Sequence, residues 1–181
     1  QFTPTTLNEI FEVLAELEAQ KDYVGLIVDV RVNPGGYVTS TLEVTDQFLD
    51  SGTILIERRK GERDQIYSAT QGGEYTGIPI VILQDSSSAS GAEVFSSALV
   101  DNGRAIIIGE RSYGKGTINQ TRKLTACGNP QGCGALYLSV GRWLRASSEE
   151  IEGIGIQPDI EVPLTPGIYE NSIPSFHGEM E

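Results

Sequence analysis

Apolar residues recur along the chain with two different periods, and these periods predict where helices and strands lie. Helical spacing is found in residues 3–20, at Leu7, Ile10, Phe11, Leu14 and Leu17. This spacing predicts an amphipathic helix that begins at Thr3-Pro4. The next segment, GLIVDVRV at 25–32, has a nearly continuous apolar half. Such a run predicts a strand in a sheet that is covered on both faces.

The remaining elements are predicted from the same periods and from turn residues. NPGG at 33–36 predicts a turn, and a second helix is expected to follow it through Leu49. Alternation at 53–60 predicts a half-exposed strand, and longer apolar runs predict strands at 78–84, 104–110 and 135–146. A third helix is predicted at 91–103, where Asn-Gly ends it. Strands that alternate with helices indicate α/β layers with a mixed, largely parallel sheet.

Length and charge exclude several classes of protein. The chain has 181 residues, which predicts one domain; we expect a core of 1–164 and a peripheral or disordered tail of 165–181. No apolar run is long enough for a membrane span. Because the chain opens at Gln1, we expect a mature product or an excised piece. A formal net charge of −12 makes nucleic acid an unsuitable partner, since phosphate binding needs clustered cations.

Two cysteines, Cys127 and Cys133, flank the tip of a predicted hairpin in the segment TACGNPQGCGA. The tip brings their Cα atoms close enough for a disulfide, which would indicate an oxidising compartment, and free thiols are the alternative. Zinc would need four ligands, and the chain's one histidine, His177, lies in the tail. We therefore predict no metal site.

A serine-rich segment, DSSSASGAEVFSS at 85–97, joins a predicted buried strand to a predicted buried helix. Ligands collect at the carboxyl ends of strands in open α/β sheets, and a helix N-terminus offers unpaired N–H groups that stabilise an oxyanion. A serine at this position is a candidate nucleophile. The alternative is that the serines only cap the helix.

A serine nucleophile needs a neighbouring base. Of the four lysines, Lys115 stands apart because it lies between two glycines in SYGKGT, directly after a predicted buried strand. One helix and one strand separate Ser90 from Lys115, so adjacent parallel strands can deliver both to one edge of the sheet. A free lysine has a pKa near 10.4, so a lysine base near neutrality needs a pKa lower by about three units, which requires shielding from the acidic surface.

Three segments in a fixed order resemble the carboxyl-terminal processing (tail-specific) proteases, which are serine peptidases with a Ser–Lys dyad. These segments are GLIVDVRVNPGG at 25–36, PIVILQDSSSASGAEVFSSALVDNGRAIIIGERSYGKGTI at 79–118, and GIQPDIEV at 155–162. The resemblance implies a layered core of the ClpP/crotonase kind. It also implies that Ser90, three residues before the helix glutamate, is the nucleophile, and that Lys115, 25 residues later, is the base.

Further site residues follow from the same resemblance. The oxyanion hole is expected to combine the N–H of Gly91 with that of Gly35 or Gly36. Glu93 and Asp101 match acidic helix positions that are associated with activity in the family, although either can be structural. The other serines of the turn, Ser86, Ser87 and Ser88, are expected to shape or cap it.

The sequence departs from the family pattern in two ways. Many members have a glutamine four residues after the lysine, where this chain has Asn119, followed by Gln120. Either residue can orient the lysine, or neither does. Full-length members also carry a substrate-sensing PDZ domain, which this sequence does not show, so we expect a protease core from a longer chain or a reduced variant.

The resemblance implies an extracytoplasmic serine endopeptidase that cleaves proteins near their C-terminus and needs no metal or cofactor. Its partners would be protein or peptide substrates, and homo-oligomerisation stays open. The alternative is a non-catalytic binding module of the same fold, similar to the retinoid-binding repeats. The presence of both Ser90 and Lys115 favours the enzyme.

Overall fold

The structure is a computed structural model that describes residues 1–20, 23–124 and 134–163. It contains three helices, which are α1 (Thr6–Gln20), α2 (Val38–Asp46) and α3 (Gly91–Asp101). The strands are β1 (Leu26–Asp29), β2 (Thr53–Arg58), β3 (Gln65–Ser68), β4 (Ile80–Gln84), β5 (Ala105–Gly109), β6 (Thr117–Lys123), β7 (Ala135–Leu144) and β8 (Ile160–Glu161). The described residues do not include Cys127 and Cys133, for which a disulfide was predicted. They also do not include His177 or the tail 165–181, so the division into core and tail stays a prediction.

The strands form two separate sheets of four strands each. One sheet is parallel, in the order β1-β4-β5-β8, and the other is antiparallel, in the order β3-β2-β7-β6. The mixed α/β class is therefore confirmed, with the parallel and antiparallel strands in different sheets. None of the helices among the described residues is long and apolar enough to cross a bilayer.

Helix α3 lies at the centre of the molecule. It contacts β5 of the parallel sheet, β2 of the antiparallel sheet and helix α2. Every residue from Gly91 to Leu99 is buried, which is the pattern of a helix that is enclosed on all sides. Phe95 of α3 packs against Phe2 and Phe48 with ring centroids 5.9 Å apart in both pairs. The first turn of α3 is therefore held rigidly within the core.

The structure reverses two predictions about exposure. The alternating segment that predicted a half-exposed strand became β2, whose residues Ile54 to Glu57 are all buried, because β2 is an inner strand and packs on α3. The segment that predicted a sheet covered on both faces became β1, where Ile27 is 73% exposed. Ile27 pairs in register with Val81 and through it with Ile106, which is 43% exposed. One face of the parallel sheet is thus left uncovered by the described residues.

The topology places three loops at one edge of the molecule. Because β1, β4 and β5 run parallel, their carboxyl ends meet at the same edge of the sheet. The segments that leave this edge are 30–37, 85–90 and 110–116, which contain the predicted glycine pair, serine turn and lysine loop. The fold therefore brings together the three segments that the sequence motifs single out.

Candidate active site

Ser90 occupies a strained position between β4 and α3. Its backbone has φ 54° and ψ −116°, a combination that non-glycine residues rarely adopt. Strain of this kind costs on the order of 1–3 kcal/mol and persists only where the surrounding structure imposes it. The position directly before α3 leaves the Ser90 side chain facing a cleft, while the helix that follows is buried.

The neighbouring serines have structural contacts. Ser88 is fully buried, and its hydroxyl donates to the carbonyl oxygen of Val30 (2.8 Å) and accepts from the N–H of Asp85 (3.0 Å). Ser88 thereby ties the serine turn to the end of β1, as the sequence predicted for a residue that shapes the turn. Ser86 and Ser87 are exposed and line a second cleft beside Lys115.

Glu93 joins the serine turn to the lysine loop. Its carboxylate is completely buried and accepts hydrogen bonds from the N–H groups of Ser90 (2.8 Å) and Lys115 (2.8 Å). It also accepts from the Gly114 N–H (2.6 Å) and the Ser112 hydroxyl (2.5 Å). Four donors compensate the burial of this carboxylate. Glu93 therefore fixes the backbone of both residues from one point.

Lys115 and Ser90 line the same open cleft. The cleft has a volume of about 360 Å³ and is also lined by Pro34, Gly36 and Tyr37. No hydrogen bond joins the side chains of Ser90 and Lys115 within the described part of the chain.

The glycines on both sides of Lys115 are required by the backbone. Gly114 has φ +87°, which favours glycine. At Gly116, a Cβ would lie 2.5 Å from the backbone nitrogen of Glu152, and the Gly116 N–H donates to the Glu152 carboxylate at 2.7 Å. The lysine loop is therefore packed against residues 152–155.

Among the described residues, no group of side chains is arranged to hold a metal ion.

The glycine pair packs directly against the serine turn. A Cβ at Gly35 would lie 2.6 Å from the Gly91 nitrogen, so this approach needs glycine. The Gly35 N–H donates to the side chain of Asn33 at 2.9 Å. The N–H groups of Gly36 and Gly91 have no hydrogen-bond partner among the described residues, and the Gly36 nitrogen lies 3.4 Å from the Cβ position of Gly91. Two adjacent unpaired donors therefore lie beside Ser90.

The other predicted residues are placed differently. Asp101 is at the far end of α3, about 15 Å from Gly91 by helix geometry, and its side chain pairs with Arg145. Asn119 accepts a hydrogen bond from the Ser139 hydroxyl at 2.8 Å, just after a register shift in β6. Gln120 is exposed. The structure thus brings together the serine, the lysine, the glycines and Glu93, and it leaves Asp101 outside this group.

A small recess beside Ser90 could not be predicted from the sequence. The recess has a volume of about 10 Å³ and is lined by Gly36, Val38, Thr41, Leu55, Ser90, Gly91, Val94 and Trp143. Its walls come from α2, α3 and both inner strands of the antiparallel sheet. Apart from Gly36, Ser90 and Gly91, no local sequence motif distinguishes these positions. A space of this size holds about one water molecule.

The structure thus places a strained serine, a lysine and the unpaired Gly36 N–H in one cleft, with the unpaired Gly91 N–H directly after the serine. The chain matches the model of Peptidase family S41 over residues 1–162, and it therefore belongs to this family. The family resemblance of the sequence motifs is thereby confirmed.

Named relatives agree with this membership. The chain is 35% identical over 162 residues to carboxyl-terminal-processing peptidase 3, chloroplastic, of Arabidopsis thaliana, covering 88% of this chain and 30% of that protein. It is 33% identical over 164 residues to the carboxy-terminal processing protease CtpB of Bacillus subtilis, covering 89% of this chain and 32% of that protein. The chain thus spans about a third of the length of these curated relatives.

A solved structure gives the same fold. The photosystem II D1 C-terminal processing protease superposes with a TM-score of 0.77 at 29% sequence identity, covering 90% of this chain and 40% of that one. The two sheets, their helices and the three loops at one edge are therefore the shared core of a longer type of protein.

Proposed function

We propose that the chain is the catalytic core of a serine endopeptidase of the C-terminal processing type, with Ser90 as nucleophile and Lys115 as base. One observation carries the proposal: Ser90, Lys115 and Gly36 line the same cleft. The Glu93 carboxylate, which binds the backbone of both Ser90 and Lys115, supports it. The activity of a whole protein of this type, its substrates and its location outside the cytoplasm belong to the same proposal.

The proposed reaction begins when the neutral amine of Lys115 takes the proton of the Ser90 hydroxyl. The Ser90 oxygen then attacks the peptide carbonyl carbon, and the carbonyl oxygen becomes a tetrahedral oxyanion. The C–N bond breaks as the protonated Lys115 gives its proton to the leaving amine, which leaves an ester on Ser90. Water, deprotonated by the neutral Lys115, attacks the ester carbon, the bond from that carbon to the Ser90 oxygen breaks, the carboxylic acid leaves, and the protonated Lys115 returns the proton to Ser90.

The N–H groups of Gly36 and Gly91 are the donors that we assign to the oxyanion. Both are unpaired among the described residues, whereas the Gly35 N–H is occupied by Asn33. Gly35 instead permits the close approach of the two loops. We therefore propose Gly36 rather than Gly35 as the second donor. Donors of this kind commonly lower the activation barrier more than any other single feature of the active site.

Asn119 remains our candidate for orienting Lys115, and it would act through Thr117. The Asn119 amide lies 3.5 Å from the Thr117 hydroxyl, and Thr117 lines the second cleft beside Lys115. Gln120 is exposed and is the weaker candidate. We assign Asp101 to the anchoring of α3 through Arg145 rather than to contact with substrate.

The recess beside Ser90 suggests the substrate. It is walled by apolar side chains, including Leu55, Val94 and Trp143, and holds no more than a small group. We therefore expect alanine or a residue of similar size on the acyl side of the cleaved bond. A peptide with alanine at that position is the substrate of choice for testing activity.

A non-catalytic binding module is the second candidate, and one observation favours it. An apolar cavity of about 430 Å³ lies between α1 and β1, lined by residues that include Ile10, Leu17 and Leu26. This volume suits a small apolar ligand. The cavity does not need Ser90 or Lys115, so the two candidates predict different results for substitutions of these residues.

The test combines peptide hydrolysis with labelling by a serine-reactive fluorophosphonate. Ser90→Ala and Lys115→Ala are each expected to lower kcat at least about 1000-fold. Ser87→Ala, an exposed serine in the same turn, and Lys60→Ala, an exposed lysine elsewhere, are the matched controls and should retain activity. Labelling at Ser90 should increase with pH, because a lysine base works only after losing its proton.

Two results would overturn the assignment. If Ser90→Ala or Lys115→Ala hydrolysed the peptide as fast as the parent, the dyad would be wrong. If the parent neither hydrolysed the peptide nor reacted with the fluorophosphonate at any pH, while an apolar ligand bound in the cavity, the binding module would be the better description.

A further inference from the structure

Phe2 makes an isolated β-bridge beside the glycine pair. Its partner in this parallel bridge is Gly36. The Phe2 N–H donates to the Gly35 carbonyl oxygen at 2.8 Å, and the Phe2 carbonyl oxygen accepts from the Tyr37 N–H at 2.9 Å. These two hydrogen bonds hold the backbone on both sides of Gly36.

The bridge determines the direction of the Gly36 N–H. In extended backbone, the polar groups of successive residues point to opposite sides of the strand. The Gly35 carbonyl and the Tyr37 N–H point toward Phe2, so the Gly36 N–H points away from it. A Cβ built at Gly91 would lie 3.4 Å from the Gly36 nitrogen, so the first turn of α3 is close to this donor. The bridge to Phe2 therefore fixes the direction of the Gly36 N–H beside α3.

The Phe2 side chain packs against helix α3. It is 5% exposed, and its ring packs against Phe95 of α3. The ring atom Cδ2 lies 3.4 Å from the Cβ position of Gly91. A Cβ at Gly36 would overlap the Phe2 carbonyl oxygen, so glycine is needed there for the approach. One residue thus contacts the surroundings of both proposed oxyanion donors.

We infer that Phe2 is a positioning residue for the oxyanion hole. It acts through the backbone of Gly35–Tyr37 and touches neither substrate nor the reacting atoms. Without the aromatic anchor, only the two backbone hydrogen bonds hold Phe2 beside the glycine pair. The Gly36 N–H then loses its fixed direction. This inference rests on the proposed function, because it concerns the same oxyanion.

The test compares three variants of the 181-residue protein. Phe2→Ala is expected to lower kcat about 10- to 100-fold with KM within about threefold, because a misdirected donor weakens the transition state more than substrate binding. Phe2→Leu keeps an apolar anchor and should retain kcat within about threefold. Phe48→Ala is the matched control: Phe48 is 3% exposed and packs on the same Phe95 ring, without a contact to the glycine pair. It should lower the Tm and leave kcat unchanged.

Hydrogen exchange gives a readout that does not depend on activity. The Tyr37 amide is protected by the Phe2 carbonyl, so its exchange should be faster in Phe2→Ala and unchanged in Phe48→Ala. Faster exchange without a fall in kcat would overturn the inference and leave the proposed function standing. An equal fall in kcat in Phe2→Ala and Phe48→Ala would also overturn it. A parent protein without peptidase activity would overturn both.

Discussion

Glu93 is the residue on which the geometry of the site depends most. The spacing Ser90-x-x-Glu93 is that of a capping box, in which the glutamate binds the N–H of the residue before the helix. The structure extends this contact to Ser112, Gly114 and Lys115 on the neighbouring loop. A carboxylate with four donors and no access to solvent cannot be replaced by an amide without leaving one N–H group unpaired.

Glu93→Gln is expected to lower both stability and activity. Each carboxylate oxygen accepts two hydrogen bonds, so the NH₂ group that replaces one of them faces two donors, and the free energy of unfolding should fall by about 2–4 kcal/mol. The kcat for the alanine peptide should fall as well, because both turns lose their common anchor. Urea unfolding followed by Trp143 fluorescence measures the first effect. Glu12→Gln, on the exposed face of α1, is the control and should change stability by less than about 0.5 kcal/mol. Equal stability of parent and Glu93→Gln would contradict this account.

Local sequence predicts some parts of the site and not others. Ser90, Gly91 and Lys115 lie in short motifs whose spacing is visible, so their meeting at one edge could be predicted. The partners of Glu93 on the lysine loop, Ser112, Gly114 and Lys115, lie 19 to 22 residues away. Only the folded loop shows that they converge on Glu93. The contact of Phe2 with Gly36 joins residues 34 apart and involves backbone atoms alone, for which a sequence contains no side-chain signal.

The exposure of the strands also could not be predicted from local sequence. An apolar run indicates that a segment becomes a strand, but it does not specify which sheet the strand joins. β2 alternates in sequence, yet it is buried because α3 and its neighbouring strands enclose it. β1 is apolar in sequence, yet it becomes the edge strand of the parallel sheet. Exposure is thus determined by position in the sheet, which depends on pairing between segments far apart in the chain.

Two adjacent isoleucines of β5 test the faces of the parallel sheet. Ile107 is fully buried against the core, and Ile106 is 43% exposed on the uncovered face. Threonine suits a strand at either position, so only burial differs. Ile107→Thr should lower the free energy of unfolding by about 2–4 kcal/mol, because it removes packed carbon and buries a hydroxyl. Ile106→Thr should cost less than about 1 kcal/mol. Urea unfolding of both variants measures the difference, and equal costs would mean that both faces are covered.

The charge of the whole molecule determines how it attracts charged ligands. Twenty-five acidic residues against 13 basic ones give a formal net charge of −12, so the surface potential is strongly negative at neutral pH. Such a field raises the local concentration of cations and their rate of encounter, and it slows the approach of anions. The effect reaches only about 10 Å at 0.1 M salt. It is therefore separable from contacts inside the cleft.

If the chain cleaves peptides as proposed, a substrate with lysines distant from the cleaved bond should have a higher kcat/KM than one with glutamates there. We expect a ratio of about 10 at 0.02 M NaCl that falls toward 1 at 0.5 M, because salt screens charges that lie outside the cleft. The double variant Glu12→Gln/Glu16→Gln, which removes two exposed charges on α1, should reduce the low-salt ratio and leave the high-salt value unchanged. A preference for lysine that persists at 0.5 M would instead indicate a direct contact, for which Glu152, in the second cleft beside Lys115, is a candidate carboxylate.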